Sequence, residues 1–80
     1  MIKYHKKAEK FILSQGKVVA LRIYSAIERL PLGDVKPLAG KKNPQLYRLR
    51  VGNYRIIFAI EQDIINILIV DNRGDVYNKV

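Results

Sequence analysis

The segment at residues 46–61, LYRLRVGNYRIIFAIE, constrains the fold more than any other part of the chain. Two runs rich in β-branched and aromatic residues flank the dipeptide Gly52-Asn53, which is the pattern of a β-hairpin closed by a two-residue turn. A turn of type I′ or II′ at this dipeptide pairs Val51 with Tyr54 and fixes the register of both strands. The sequence therefore predicts an antiparallel hairpin here.

This register gathers three arginines on one face of the hairpin. Arg50 pairs directly with Arg55, and Arg48 lies two residues away on the same strand, so all three side chains project in one direction. Like charges in opposed positions are destabilising, and an anion bound between them would remove that cost. The other face carries apolar and aromatic side chains and is expected to lie on helices: Tyr47, Leu49, Val51, Tyr54, Ile56 and Phe58.

The N-terminal half of the chain predicts a short strand at residues 2–4, followed by two helices. The first helix covers residues 6–13 and ends at the break Ser14-Gln15-Gly16. The second begins at Lys17 and ends before Pro31 and Gly33, both of which disfavour a helix. Its apolar stripe is predicted to be Val19, Ile23, Ala26 and Leu30.

The C-terminal half predicts a basic loop followed by a meander of strands. Residues 33–45, GDVKPLAGKKNPQ, contain two prolines, two glycines and three lysines, which is typical of a loop. Residues 46–51, 54–60 and 64–70 predict three antiparallel strands, and residues 75–77 a short last strand. We therefore expect one α+β domain over residues 1–80, with an N-terminal strand and a helical hairpin packed on a small antiparallel sheet.

A turn centred on Gln62-Asp63 would join the second and third strands of this meander. It would place Ile57 opposite Leu68, and Arg55 opposite Val70. The segment DNRGDVYNKV follows directly, so Arg73 and Tyr77 are expected at the same end of the sheet as the arginine pair. The sequence therefore predicts that five side chains converge there: Arg48, Arg50, Arg55, Arg73 and Tyr77.

The charge of the chain indicates a negatively charged partner. Lysine and arginine number 15 against 7 acidic residues, a net charge of +8 in 80 residues. The partner could be a nucleic acid, an anionic membrane surface or an acidic protein. Cysteine is absent, which excludes disulfides and thiolate metal sites. With no signal-peptide pattern and no apolar run long enough for a bilayer, the sequence predicts a cytoplasmic protein that does not enter membranes.

The converging residues suit metal-independent RNA cleavage. Attack of a 2′-hydroxyl on the adjacent phosphorus builds charge on phosphate oxygens, which guanidinium groups can stabilise. Arginine stays protonated, so Tyr77 is the best candidate for proton transfer, while His5 is interpreted as an ordinary exposed residue. Asp71 and Asp75 are expected to form turns or neutralise an arginine, and no metal or cofactor is predicted.

The order of strand, helical hairpin, basic loop, LYRLRVGNYRIIF, strand and DNRGDVYNK resembles the RelE/ParE superfamily of type II toxin–antitoxin toxins over nearly the whole chain. In the RelE branch this resemblance implies cleavage of mRNA in the ribosomal A site. It also implies a cognate acidic antitoxin as partner. The residues that match the functional basic and tyrosine positions of that branch are Arg48, Arg50, Arg55, Arg73 and Tyr77.

Three classes of function stay open at this point. They are an mRNA endoribonuclease that acts at the ribosome, a ParE-like inhibitor of DNA gyrase, and a nucleic-acid-binding relative without catalysis. The complete arginine and tyrosine set favours the first class. Three lysines of the predicted loop are either solvated or contact RNA phosphates at a distance from the chemistry: Lys36, Lys41 and Lys42.

Overall fold

A computed structural model describes residues 1–72, apart from the side chains of Lys41 and Lys42. It confirms the α+β class and the three-strand meander. The last predicted strand, residues 75–77, lies outside the described residues. In chain order the elements are β1 (Ile2–Tyr4), α1 (Lys6–Ser14), α2 (Lys17–Glu28), β2 (Asp34–Lys42), β3 (Gln45–Val51), β4 (Tyr54–Glu61) and β5 (Ile64–Asp71).

The five strands form one mixed sheet in the order β1-β5-β4-β3-β2. Strands β2 to β5 are antiparallel neighbours, but β1 pairs in parallel with β5, with Ile2 opposite Ile65 and Tyr4 opposite Ile67. The predicted small antiparallel sheet is therefore confirmed for β2 to β5, and the N-terminal strand extends it in parallel at one edge. Both helices and three strands separate β1 from β5, and a connection of that length allows parallel pairing.

The basic loop predicted over residues 33–45 is wrong, because most of this segment forms strand β2. Strand β2 lies at the edge of the sheet, next to β3. Proline is tolerated on an edge strand, where its missing N–H removes no ladder hydrogen bond, so Pro37 still pairs with Tyr47. An irregularity between Pro37 and Lys42 interrupts the register, and basic residues on such an edge discourage pairing with other chains.

The hairpin of β3 and β4 has the predicted register, with Val51 opposite Tyr54 and Arg50 opposite Arg55. Gly52 has φ of 58°, in the left-handed region. Asn53 does not have a positive φ, because the described non-glycine residues with positive φ are Gln62 and Asp63 in the next turn. A left-handed residue at the first central position alone is the pattern of type II′, one of the two predicted turn types.

The turn between β4 and β5 is centred on Gln62 and Asp63, as predicted. Their φ values of 49° and 67° are both left-handed, which is the pattern of type I′ without a glycine. From this turn the register follows the prediction as far as Phe58 opposite Ile67.

Beyond that pair, a β-bulge shifts the register by one residue. Ile57 faces Ile69 and Arg55 faces Asp71, in each case one residue later on β5 than predicted, which leaves Leu68 as the extra residue. The two predicted pairings at this end of the sheet are therefore wrong. The turn fixes which residues pair only where the ladder of hydrogen bonds is regular. The identity of the turn residues does not predict a bulge further along the strand.

The main core lies between the helices and one face of the sheet. The buried side chains of α2 are Ala20, Ile23 and Ile27, so the predicted stripe is correct at Ile23 but centred slightly off the buried face. Its other three members are partly buried and pack at the margin of the core. The sheet supplies Leu49, Val51, Ile56 and Phe58, which confirms the predicted helix-facing side of the hairpin.

Tyr4 on β1 contacts Tyr24 on α2 edge to face, with ring centroids 5.3 Å apart. Burial of the phenol, and then the nearby Tyr24, Glu28 and Glu9, raise the pKa of Tyr4 to about 12. Unfolded tyrosine has a pKa of about 10, so above that pH the unfolded chain releases a proton that the native state keeps. This contribution to stability is complete below about pH 10 and is lost as the pH rises toward 12.

We therefore expect Tyr4→Phe to make the alkaline loss of stability less steep. The measurement is the urea midpoint of both proteins from about pH 9 to about pH 12. Two parallel curves over that range would contradict the assignment to Tyr4.

Candidate functional site

Four charged side chains lie in one row across the sheet, next to the β3–β4 turn. Arg50 on β3 is directly opposite Arg55 on β4, as predicted. Arg50 is also opposite Asp34 on β2, and Arg55 is opposite Asp71 on β5. We call these four residues the charged row. The arginine pair is therefore flanked by a carboxylate on each side.

The neighbouring row contains Lys36 and Arg48, which are opposite each other on β2 and β3. Lys36 is exposed, but only 7% of the Arg48 surface is accessible to solvent. The next residue in this row, Ile57, belongs to a second apolar cluster. The arginine face of the sheet is thus partly apolar, with a cluster made of Leu46, Ile57 and Ala59, against which Leu38, Leu68 and Ile69 pack.

Arg48 has one ionic partner in the described part of the chain. Its Nη2 lies 3.4 Å from Oδ1 of Asp34, whose side chain is 52% exposed. Its Nη1 is buried and has no hydrogen-bond partner among residues 1–72. A buried donor without a partner costs free energy, so this guanidinium is only partly compensated.

Arg50 and Arg55 are more accessible than Arg48. Arg50 is exposed and Arg55 is half-buried, so both guanidinium groups can reach an anion from solvent. Opposed side chains have Cβ atoms about 5 Å apart, and like charges at that spacing repel. Two planar forks side by side can each donate two N–H groups to phosphate oxygens. The pair can therefore stabilise developing negative charge, but it offers no proton acceptor.

Several predicted site residues lie outside what the structure describes. These are Arg73 and Tyr77, and the side chains of Lys41 and Lys42. The convergence of Arg73 and Tyr77 with the arginine pair stays a prediction. His5 is exposed at the residue that precedes α1, as expected.

Sequence reasoning missed Asp34 as part of this site. The signal was present as the alternation Asp34, Val35, Lys36, in which Val35 packs on the helix-side core while its two neighbours point the other way. The nearby prolines and glycines obscured it. A loop has no register with β3, so the loop prediction places no carboxylate opposite Arg50.

Asp71 ends strand β5 and contacts the backbone of the next residue. The backbone N–H of Asn72 donates to Oδ1 of Asp71 at 2.6 Å. Within residues 1–72, no three His, Asp or Glu side chains lie together in a group that could hold a metal ion. Neither of the two described helices is long and apolar enough to span a bilayer.

The chain also matches a known protein family. A family model described as the ParE toxin of type II toxin–antitoxin systems matches residues 2–77. The chain therefore belongs to this toxin family, within the RelE/ParE superfamily. It is a toxin of a toxin–antitoxin system.

Solved structures confirm the predicted RelE-like fold. The chain is 32% identical to a chain of the archaeal RelE–RelB complex from Pyrococcus horikoshii OT3, with a TM-score of 0.72, over 91% of this chain and 93% of that chain. It is 29% identical to a chain of the RelB–RelE antitoxin–toxin complex from Methanococcus jannaschii, with a TM-score of 0.73, over 96% of both chains. No curated protein matches the chain significantly.

Proposed function

We propose that this toxin is a metal-independent endoribonuclease that cleaves translated mRNA at the ribosome and so inhibits translation. The observation that carries the proposal is the directly opposed pair Arg50 and Arg55 on the sheet face away from the helices. Lys36 and Arg48 add positive charge in the neighbouring row. The likeness to RelE chains at about 30% identity supports the RelE branch.

In the proposed reaction, the 2′-hydroxyl oxygen attacks the adjacent phosphorus and the bond to the 5′-oxygen of the next nucleotide breaks. Negative charge grows on the phosphate oxygens, to which Arg50 and Arg55 donate hydrogen bonds. Arg48 and Arg73 add positive charge around the same phosphate. Tyr77, in its ionised form, takes the proton of the 2′-hydroxyl, since no arginine can accept it, and then gives that proton to the departing 5′-oxygen. The products are a 2′,3′-cyclic phosphate and a free 5′-hydroxyl.

The lysines of β2 are proposed to hold the RNA at a distance from the chemistry. Lys36 is exposed beside Arg48, and Lys41 and Lys42 lie further along the same edge strand. Contacts from such residues to phosphates fix the position of a strand without reading its sequence. Binding through them should weaken as salt increases.

Primer extension on mRNA from cells that express the toxin tests this function. We expect cuts at fixed positions within codons of translated messages. A reporter mRNA that differs only in a destroyed start codon is the matched control, and its cuts should disappear. Cleavage of both messages alike would exclude action at the ribosome, and intact messages in arrested cells would exclude the nuclease.

Inhibition of DNA gyrase is the second candidate, because the matching family model is that of the ParE toxin. A gyrase poison should cause DNA damage and filamentation before protein synthesis falls. An mRNA nuclease should stop incorporation of labelled amino acids first. The order of these two events after induction distinguishes the candidates, and binding to nucleic acid without either effect would indicate a non-catalytic relative.

We further propose that the partner of this toxin is a cognate acidic antitoxin. The M. jannaschii structure is described as an antitoxin–toxin complex, and this chain covers 96% of the matched chain. The net charge of +8 favours an acidic partner. Acidic side chains of the antitoxin are expected near the exposed Arg50 and half-buried Arg55.

The antitoxin should raise the melting temperature of the toxin. A ligand that binds only the native state adds about 4 kcal/mol to the free energy of unfolding at 1,000 times its dissociation constant. For a domain of this size, that corresponds to roughly 15 °C or more. The measurement is a thermal melt of the toxin alone and of the co-purified complex with the protein encoded beside it.

Two measurements show whether the arginines contribute to that complex: the dependence of association on salt concentration, and the affinity of variants that lack one arginine. Association should slow at higher ionic strength, and Arg50→Ala should weaken the complex more than Arg29→Ala, an exposed arginine at the end of α2. Equal melting temperatures with and without the neighbouring protein would argue against it as the antitoxin.

A further inference from the structure

Asp34 occupies a position between two arginines of the site. In the register of the sheet it is opposite Arg50, but its Oδ1 contacts Nη2 of Arg48, two residues earlier on β3. Its carboxylate therefore lies on the same face as the proposed phosphate site. It supplies the kind of charge that an RNA phosphate would supply there.

The contact between Asp34 and Arg48 is weak enough to be exchanged. Charge-assisted hydrogen bonds between nitrogen and oxygen typically measure about 2.7–2.9 Å, whereas this one measures 3.4 Å. The Asp34 side chain is 52% exposed, so water can hydrate its carboxylate when the contact with Arg48 is broken. Arg48 is fixed by comparison, because only 9% of its side chain is exposed.

Arg48 is also left with a buried Nη1 that has no partner in the described residues. One long contact to an exposed carboxylate does not satisfy a guanidinium with five N–H donors. Asp34 offers Arg48 one oxygen, whereas a phosphate group has several acceptor oxygens. An incoming phosphate can therefore compensate Arg48 better than Asp34 does at Nη2, the donor that Asp34 contacts, whereas the buried Nη1 stays out of its reach.

We propose that Asp34 is an internal anion that occupies the arginine site in the free toxin and is displaced when a phosphodiester group of the substrate binds. Displacement frees the Nη2 donor of Arg48 for the phosphate beside Arg50. In the free state, Asp34 offsets part of the positive charge and weakens binding of arbitrary anions. This role rests on the proposed phosphate site, but it concerns binding and requires no cleavage.

The test is titration of the full-length toxin with inorganic phosphate at constant ionic strength, followed by backbone amide NMR of β3 and β4. Removing one negative charge a few ångströms from the ligand should tighten binding of phosphate about 3- to 10-fold in Asp34→Asn. Asp63→Asn is the matched control, because Asp63 is an exposed turn residue, asparagine tolerates its left-handed φ of 67°, and the change in net charge is the same. Its affinity for phosphate should stay within about 2-fold of the parent chain.

A second measurement uses the unsubstituted chain and does not depend on how the variants fold. The carboxyl carbon resonance of Asp34 should shift with the same dissociation constant as the Arg50 and Arg55 signals. Two results would overturn the proposal: equal phosphate affinities in Asp34→Asn and Asp63→Asn, or an Asp34 resonance that stays unchanged while the arginines respond.

Failure of this inference and failure of the nuclease proposal give different results. If the toxin cuts no RNA but its Asp34→Asn variant binds phosphate more tightly, the internal-anion inference stands and the nuclease proposal fails. If the toxin cuts translated mRNA but Asp34→Asn does not change phosphate binding, the nuclease proposal stands and the internal-anion inference fails.

Discussion

Replacing Arg55 with alanine should abolish growth arrest while leaving the domain folded. Arg55 is one half of the directly opposed pair and is half-buried on the sheet face away from the main core. Removing one donor that stabilises charge in a transition state typically lowers the rate by about 10²- to 10³-fold. The measurements are colony growth after induction, cleavage of a reporter mRNA, and a thermal melt of the purified variant.

Arg29→Ala is the matched control for this change. It removes the same side chain from an exposed position at the end of α2, so toxicity should be unaffected. Arg73→Ala should behave like Arg55→Ala if Arg73 joins the same site. A folded Arg55→Ala protein that stays fully toxic would show that the arginine pair is not the active site.

Truncation of the main core should act on toxicity through stability instead. Ile23 on α2 is 0% exposed and Leu49 on β3 is 1% exposed, and each packs between the helices and the sheet. Replacing either residue with alanine removes buried methyl groups and leaves a cavity, at a cost of roughly 2 to 5 kcal/mol. Domains of this kind have a total stability of only about 5–15 kcal/mol, so the variants should be partly unfolded or melt far earlier.

Leu21→Ala is the control for the core variants, because it removes the same kind of side chain from a position on α2 that is 58% exposed. Its denaturant midpoint should be close to that of the parent chain. If Ile23→Ala and Leu21→Ala unfold at the same urea concentration, the placement of the α2 core face is wrong. Added antitoxin should raise the melting temperatures of the core variants, because it binds and stabilises the native state.

The hairpin could be predicted from sequence because its determinants are local. Gly52 accepts a left-handed φ without strain, and the flanking residues alternate between charged and apolar types. Those two features fix which residues face each other, and so the opposition of Arg50 and Arg55 follows from the local segment 50–55.

Strand β2 could not be predicted in the same way, because what makes it a strand is its place in the sheet. Pro37 and Gly40 disfavour a strand in an isolated segment, and only the position at the sheet edge makes the proline acceptable. This one misinterpretation also hid Asp34. The opposition of Arg50 and Arg55 was thus predictable, while the carboxylate of Asp34 beside them depended on tertiary structure.

The bulge at Leu68 also decides which chemical group stands beside Arg55. With a straight ladder, Val70 would face Arg55, and Asp71 would turn toward the helices. The extra residue exchanges these two, so an aliphatic residue that carries no charge determines the electrostatic surroundings of the arginine pair. A chain one residue shorter at position 68 would deliver the same carboxylate to Arg55 by simple alternation. Loss of one residue at this point of β5 is therefore compatible with unchanged chemistry. A substitution that removed the bulge but kept the present length would instead place Val70 opposite Arg55.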